Sequence, residues 1–173
     1  GVDAGTYIPD NAGISQDSSF TIPSGVRVYG GFPENGGGIT IVELRPVPIA
    51  LTILDGNQGG GVLSNHVVTF SGAGGINDVI DGFTIRNGKA SGPQSNDKFG
   101  GGVLALGGNP LIKNCNIYAC TAESGGGAIR AVSAQIGECR ISDCKAYGTN
   151  SLGGAVLVAD GIIHNVIIHG CSA

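Results

Sequence analysis

The sequence predicts an all-β parallel β-helix, a solenoid in which short strands stack coil upon coil. Three features carry this prediction: a repeat of about 25 residues, an apolar alternation that is reset at fixed points of each repeat, and the lack of a sustained helical pattern. Glycine supplies 33 of the 173 residues, and each would cost a helix interior about 1 kcal/mol. The length fits one domain, residues 1–173, of about six to seven coils.

The repeats are marked by Gly-Gly pairs, which begin at Gly101, Gly126 and Gly153 and so lie 25 and 27 residues apart. Each repeat then closes on four small or apolar residues with the same spacing. The three sets are Cys115, Ile117, Cys120 and Ala122; Cys139, Ile141, Cys144 and Ala146; and Val166, Ile168, Cys171 and Ala173. An earlier unit without the Gly pair supplies Phe83, Ile85, Gly88 and Ala90 in the same order. Equivalent residues are expected to stack about 4.8 Å apart.

Two-residue interruptions divide the strands of each repeat. They are Asp55-Gly56, Asp81-Gly82, Lys113-Asn114, Gly137-Glu138 and His164-Asn165. Gly and Asn accept left-handed backbone angles, so we expect a corner at each pair. Asp55 and Asp81 are interpreted as stacked corner residues, because a calcium site would need six or more oxygens. The stretch from Lys89 to Phe99 is predicted to be an inserted loop.

Composition argues against several function classes. The net charge of −4 without a basic run makes nucleic acid an unsuitable partner. No apolar stretch approaches the roughly 20 residues of a transmembrane helix. The chain contains no Met, which indicates a processed product or part of a longer protein.

Five segments together resemble the right-handed parallel β-helix domains of large secreted and surface bacterial proteins, related in pattern to polymorphic outer-membrane protein repeats. They are Gly5-Thr6-Tyr7 with Pro9, Val28 to Phe32, Thr52 to Gly56, Asp81 to Ile85, and the Gly-Gly repeats. The resemblance implies a right-handed solenoid outside the cell or at its surface. Such domains serve as adhesins, passenger stalks and carbohydrate-active enzymes, so the fold does not choose among these activities. Family members often carry Asn where this chain has Cys120, Cys144 and Cys171.

The repeat alignment places the cysteines in two columns, Cys115 with Cys139 and Cys120 with Cys144 and Cys171. We expect buried, mostly reduced thiols that fill the core as small hydrophobic residues. Disulfides within a column are an alternative, although stacked side chains run parallel and would strain the bond. Metal binding is a further alternative, which the spacing disfavours because the chain has no Cys-x-x-Cys.

An active site on this fold would lie at the outward positions of the repeats, where carboxylates from adjacent coils converge. The alignment gives two columns there: Thr84, Asn116, Arg140 and Ile167, and then Arg86, Tyr118, Ser142 and His169. Neither column contains a carboxylate, and Asp143 with His169 is the nearest approach to an acid/base pair. His66 and His164 are expected to be ordinary solvated or hydrogen-bonded histidines. No catalytic residue, cofactor or metal site is predicted.

The residues after each Gly pair are predicted to form an outward apolar strip that binds a partner or is covered by the chain itself. The strip residues are Val103, Ala105, Ala128, Arg130, Ala155 and Leu157.

The first functional hypothesis is a non-catalytic structural or adhesive module, with fibre formation as one form of it. The alternative is a polysaccharide lyase or hydrolase whose active coils lie partly outside this chain. Protein partners, self-association through the coil ends, and carbohydrate are the candidate partners. Because neither end carries a visible polar cap, we expect either a piece of a longer helix or a head-to-tail assembly.

Overall fold

The structure is a computed structural model, and it describes residues 1–9, 14–34, 42, 45, 51–72 and 78–173. The secondary structure of the described residues is mostly β, with almost no helix. All pairings between the named strands are parallel. The prediction of an all-β chain with parallel strands is therefore confirmed.

Sheet 1 has six short strands, and paired residues of neighbouring strands lie between 24 and 47 positions apart in the sequence. In spatial order they are β1 (Gly5–Tyr7), β4 (Thr52–Asp55), β7 (Thr84–Arg86), β11 (Asn116–Tyr118), β14 (Arg140–Ser142) and β17 (Ile167–His169). Because the register is constant, equivalent residues lie side by side along the whole sheet. This sheet positions the polar residues described below.

Sheet 2 is built around one long strand, β13 (Ile129–Gly137), which pairs with β16 (Val156–His164). The first part of β13 pairs with β9 (Val103–Ala105), which is followed in the sheet by β5 (Val68–Phe70) and β2 (Phe20–Ile22). The last part of β13 pairs with β10 (Leu111–Lys113), which is followed by β6 (Val79–Asp81) and β3 (Arg27–Tyr29). Sheet 3 consists of three two-residue strands, β8 (Lys89–Ala90), β12 (Thr121–Ala122) and β15 (Lys145–Ala146). From β6 onward the chain visits sheets 2, 1 and 3 in that order, repeatedly.

Aliphatic ladders fill the space between the sheets. The inward ladder of sheet 1 contains Leu54, Ile85, Ile117, Ile141 and Ile168. The ladder of sheet 2 contains Val28, Ile80, Ile112, Ile136 and Ile163. The central members are fully buried, whereas Ile163 and Ile168 on the last strands are 49% and 48% exposed. Burial of each central isoleucine stabilises the fold by about 1.5–3 kcal/mol.

Left-handed residues make the corners between the sheets. At the corner before sheet 1 they are Gly82, Asn114, Glu138 and Asn165, and at the corner after it they are Asn87, Ala119, Asp143 and Gly170. The predicted corners at four of the five interruptions are thus confirmed. The placement of the fifth, Asp55-Gly56, is wrong, because Asp55 ends β4 of sheet 1 and Gly56 follows it.

The predicted loop from Lys89 to Phe99 is only partly irregular. Lys89 and Ala90 pair with β12 in sheet 3, and a short 3-10 turn covers Asn96–Lys98.

Candidate functional site

The predicted apolar strip faces the wrong way. Val103, Ala105 and Ala128 are fully buried, and Ala155 is 8% exposed. All four belong to the hydrophobic core. The reason lies in the register, because Val103 pairs with Ile129 and not with Ala128. Ala105 likewise pairs with Ala131, so the predicted strip combined residues of different columns. The outward orientation predicted for these residues is therefore corrected.

The two other strip residues, Arg130 and Leu157, are half-buried and lie opposite each other on β13 and β16. The Arg130 guanidinium donates to the Leu157 carbonyl oxygen at 3.4 Å and lies 6.0 Å from the centre of the Phe99 ring. Its contacts are therefore within the chain.

The outward columns of sheet 1 form as predicted from the repeat. Thr84, Asn116, Arg140 and Ile167 lie in register, as do Arg86, Tyr118, Ser142 and His169. The structure adds β4 to this alignment and thereby places Asp55 directly beside Arg86. The expectation that neither column contains a carboxylate is therefore wrong.

Asp55, Arg86 and Tyr118 form a continuous hydrogen-bonded chain across three strands. The Arg86 guanidinium donates from Nε to Asp55 Oδ2 at 2.7 Å and from Nη1 to the Tyr118 hydroxyl oxygen at 3.0 Å. Asp55 Oδ1 also accepts from Asn87 Nδ2 at 2.8 Å and from the Asn57 backbone N–H at 2.9 Å. The Asp55 side chain is 9% exposed and that of Arg86 30%. This carboxylate is thus satisfied by donors from its own repeat and the next one.

The hydrogen bonds of Arg86 to Tyr118 and Asp55 keep its guanidinium charged. The hydrogen bond to Tyr118, followed by the hydrogen bond and charge of Asp55, raises the pKa of the Arg86 guanidinium above its usual value, although burial acts in the opposite direction. The group therefore serves as a permanent cation and donor in the middle of the column.

A second polar pair lies further along the same face. Arg140 Nη2 is 2.9 Å from His169 Nε2. Because arginine only donates, Nε2 accepts and the imidazole hydrogen is on Nδ1. Ser142, between Tyr118 and His169 in the column, is 7% exposed. The contact recorded between Asp143 and His169 is a backbone hydrogen bond of 3.2 Å, from the Asp143 N–H to the His169 carbonyl.

Asp81 does not stack on Asp55, because it lies in sheet 2. It forms a buried ion pair with Arg45, and its Oδ1 accepts from Asn114 Nδ2 at 2.9 Å. The Arg45 guanidinium also lies over the Tyr29 ring, 5.3 Å from its centre. The stacking predicted for the two aspartates is corrected here, since Asp55 lies in sheet 1 and Asp81 in sheet 2.

His66 is buried against the segment that follows β8. Its Nδ1 is 3.1 Å from the Gly100 carbonyl oxygen. Burial lowers the pKa of the imidazole, although the Gly100 hydrogen bond and the charge of Asp97 oppose that effect. The adjacent Asn65 side chain donates to Asp17 Oδ1 at 3.1 Å. The prediction of an ordinary hydrogen-bonded histidine is confirmed for His66.

The five cysteines are free thiols, of which all but Cys171 are buried. Each Sγ lies within 3.1–3.5 Å of the carbonyl oxygen two residues earlier, on the other side of a left-handed corner residue. The Cys144 backbone N–H also donates to Cys171 Sγ at 3.4 Å. Burial raises the pKa of Cys115, and the hydrogen bond with Cys120, together with burial, raises that of Cys144. The expectation of buried thiols is confirmed for four of the five.

The described residues contain no group of three or more His, Cys, Asp or Glu side chains that could hold a metal ion. Within this same part of the chain, no helix has the length and apolar character needed to cross a membrane.

Sequence reasoning missed the Asp55–Arg86–Tyr118 chain because it aligned Asp55 with Asp81. The signal was present, since Leu54-Asp55-Gly56 also aligns with Ile85-Arg86-Asn87 and Ile117-Tyr118-Ala119.

Comparison of the chain with protein-family profiles, curated proteins and solved structures finds no match in any of the three. The assignment of a function therefore depends on the geometry described above.

Proposed function

We propose that this chain is a right-handed parallel β-helix module that acts as a non-catalytic structural or adhesive element outside the cell or at its surface. The observation that carries the proposal is the constant parallel register of sheet 1 over six strands. The repeated visits to sheets 2, 1 and 3 are compatible with stacked coils of a solenoid. The resemblance to secreted and surface β-helix domains supports the location.

The outer face of sheet 1 is better suited to binding another molecule than to catalysis. The Asp55 carboxylate on this face accepts hydrogen bonds from the Arg86 guanidinium, the Asn87 side-chain amide and the Asn57 backbone N–H. A carboxylate held in this way is a poor general base, because its lone pairs are already occupied. The same bonds fix the side chains of neighbouring strands, which gives the face a preorganised polar surface suited to binding.

An activity assay distinguishes the non-catalytic proposal from the alternative, a polysaccharide lyase or hydrolase. Purified chain is incubated with polyuronides and neutral polysaccharides, and new reducing ends and the ultraviolet absorbance of unsaturated sugars are followed. We expect retention on immobilised polysaccharide or cell-wall material with no product. Product formation that is lost in the Arg86→Met variant would overturn the non-catalytic proposal, and failure to be retained on any surface tested would overturn the adhesive one.

A crystal structure tests the architecture. A right-handed coil with six or seven turns is expected, and strands that close on themselves without stacking into coils would contradict it.

A further inference from the structure

The last strands of sheets 1 and 2, β17 and β16, leave apolar residues open to solvent. β16 has nine residues and lies at the edge of sheet 2, and no described strand pairs with its outer side. Ile163 and Ile168 of the inward ladders are about half exposed there, and Ile162 on β16 is 60% exposed. A long apolar edge of this kind is a template for the pairing of another strand.

The inward positions of β16 have a self-complementary order. Four residues of the strand pair with fully buried residues of β13 and therefore occupy inward positions. They are Val156, Val158, Gly161 and Ile163. Two residues, Ala159 and Asp160, stand between the second and the third of them. The spacing of the inward positions is therefore the same when the strand is read in either direction.

We propose that β16 pairs with β16 of a second copy of this chain, antiparallel and across a two-fold axis that passes between Ala159 and Asp160. Val156 then lies opposite Ile163 of the second copy, and Val158 lies opposite its Gly161. On the outward side, Leu157 lies opposite Ile162, so the most exposed residue of the strand gains an apolar neighbour. Inward residues meet inward residues, and the two hydrophobic cores become continuous.

The opposite end of the chain does not fit this edge. Among the described strands, sheet 1 extends one strand further than sheet 2 there, because β1 pairs with β4, and β4 follows β2 and β3 in the chain. A copy stacked head to tail would bring β1 onto β17 and leave β2 and β3 about 4.8 Å too far from β16. The symmetric contact is therefore favoured over the head-to-tail assembly expected from the sequence.

Asp160 is the one feature of the strand that opposes this contact. It is exposed and is the only acidic residue of β16. The pairing brings the two Asp160 carboxylates near each other at the centre of the interface, and like charges on neighbouring strands oppose pairing. Removal of this charge therefore gives a test of the opposite sign to the loss of an apolar residue.

The assembly of the whole chain is measured by analytical ultracentrifugation between about 1 and 200 µM, with reductant present because Cys171 is half-exposed. We expect a monomer–dimer equilibrium without larger species, since a two-fold contact closes on itself. Ile162→Lys should weaken the dimer by at least about tenfold, and Asp160→Asn should strengthen it roughly two- to fivefold.

The matched control is Leu106→Lys. Leu106 is 41% exposed and follows β9, away from the β16 edge, so the same change of charge should leave the equilibrium unchanged. Hydrogen exchange adds a local measurement, because the amides of β16 should become better protected as the concentration rises in the parent protein and not in Ile162→Lys.

A chain that stays monomeric over this range would overturn the inference. Open-ended oligomers would also overturn it, because they would indicate a head-to-tail contact. A dimer that Ile162→Lys leaves unchanged would place the interface elsewhere in the chain and contradict the pairing of β16. The inference goes beyond the proposed function, since it concerns the edge of sheet 2, whereas adhesion is measured by retention on surfaces.

Discussion

Asp55 and Arg86 lie opposite each other on neighbouring parallel strands, and the guanidinium reaches Oδ2 of the carboxylate from both Nε and Nη2 at 2.7 Å. The pair joins two repeats that are 31 positions apart in the sequence. It also sets the direction of the hydrogen bonds that continue to Tyr118. The contact therefore stabilises the sheet and also orients the hydrogen bonds on its outer face.

Replacement of Arg86 with Met should destabilise the fold by roughly 1–3 kcal/mol, because a buried carboxylate loses its cation while two neutral donors remain. Urea unfolding followed by circular dichroism measures the change. The control is Lys98→Met in an exposed ion pair, for which less than about 1 kcal/mol is expected. Recovery of part of the loss in Arg86→Met/Asp55→Asn would confirm the cause, and equal losses in the single variants at Arg86 and Lys98 would contradict it.

Ala119 occupies a left-handed corner with φ 53° and is exposed. Replacement with Gly should stabilise the chain by about 1 kcal/mol, since glycine adopts this angle without a steric clash of Cβ. Ala119→Val should act in the opposite direction, because a β-branched side chain is strained there. Thermal unfolding compares the three proteins, and a lower midpoint for the Gly variant than for the parent would refute this account of the corner.

Ala128→Glu and Ala155→Glu should each prevent stable folding. Both positions are in the core, and burial of a carboxylate without a partner costs roughly 3–5 kcal/mol or more. Val132→Glu is the matched control, because Val132 lies on the same sheet and is 43% exposed. Circular dichroism and urea unfolding should show folded protein only for the control. Two fully folded alanine variants would restore the outward orientation predicted from the sequence.

His66 should make the chain less stable in mild acid. Its folded pKa lies below the ordinary value of 6.5, so the unfolded chain binds the proton more readily than the folded one. The stability that comes from the neutral imidazole is fully present at pH values above the ordinary pKa of 6.5. It is lost as the pH falls toward the pKa of the folded state. Urea unfolding at several pH values measures the slope. His66→Gln should flatten this part of the profile, and an unchanged slope would assign it to other groups.

The thiols should be numerous but slow to react. Denatured, unreduced protein is expected to give five free thiols by titration. In the folded protein, burial and the raised pKa values of Cys115 and Cys144 leave little thiolate, so most groups should react only on unfolding. A count of one in the denatured protein would mean two disulfides and would contradict the structure.

The all-β class, the repeat and the stacked columns of sheet 1 can be read from the amino-acid sequence. Ile85, Ile117, Ile141 and Ile168 align in the sequence and lie in register in the structure. The repeat is readable because each strand needs the same inward residues to bury a continuous core. The left-handed corners at Asn114 and Asn165 are visible for a similar reason, since few residue types accept that angle.

The three-dimensional packing was needed to show which residues face the core after each Gly pair and to which sheet each aspartate belongs. Alternation predicts two faces but not their orientation, and a shift of one residue in the register exchanges them. Ala128 was predicted to lie beside Val103, whereas the structure pairs Val103 with Ile129. In the same way, the Asp-Gly dipeptides at Asp55 and Asp81 look alike in sequence. Their strands belong to different sheets, and the partners Arg86 and Arg45 come from distant parts of the chain.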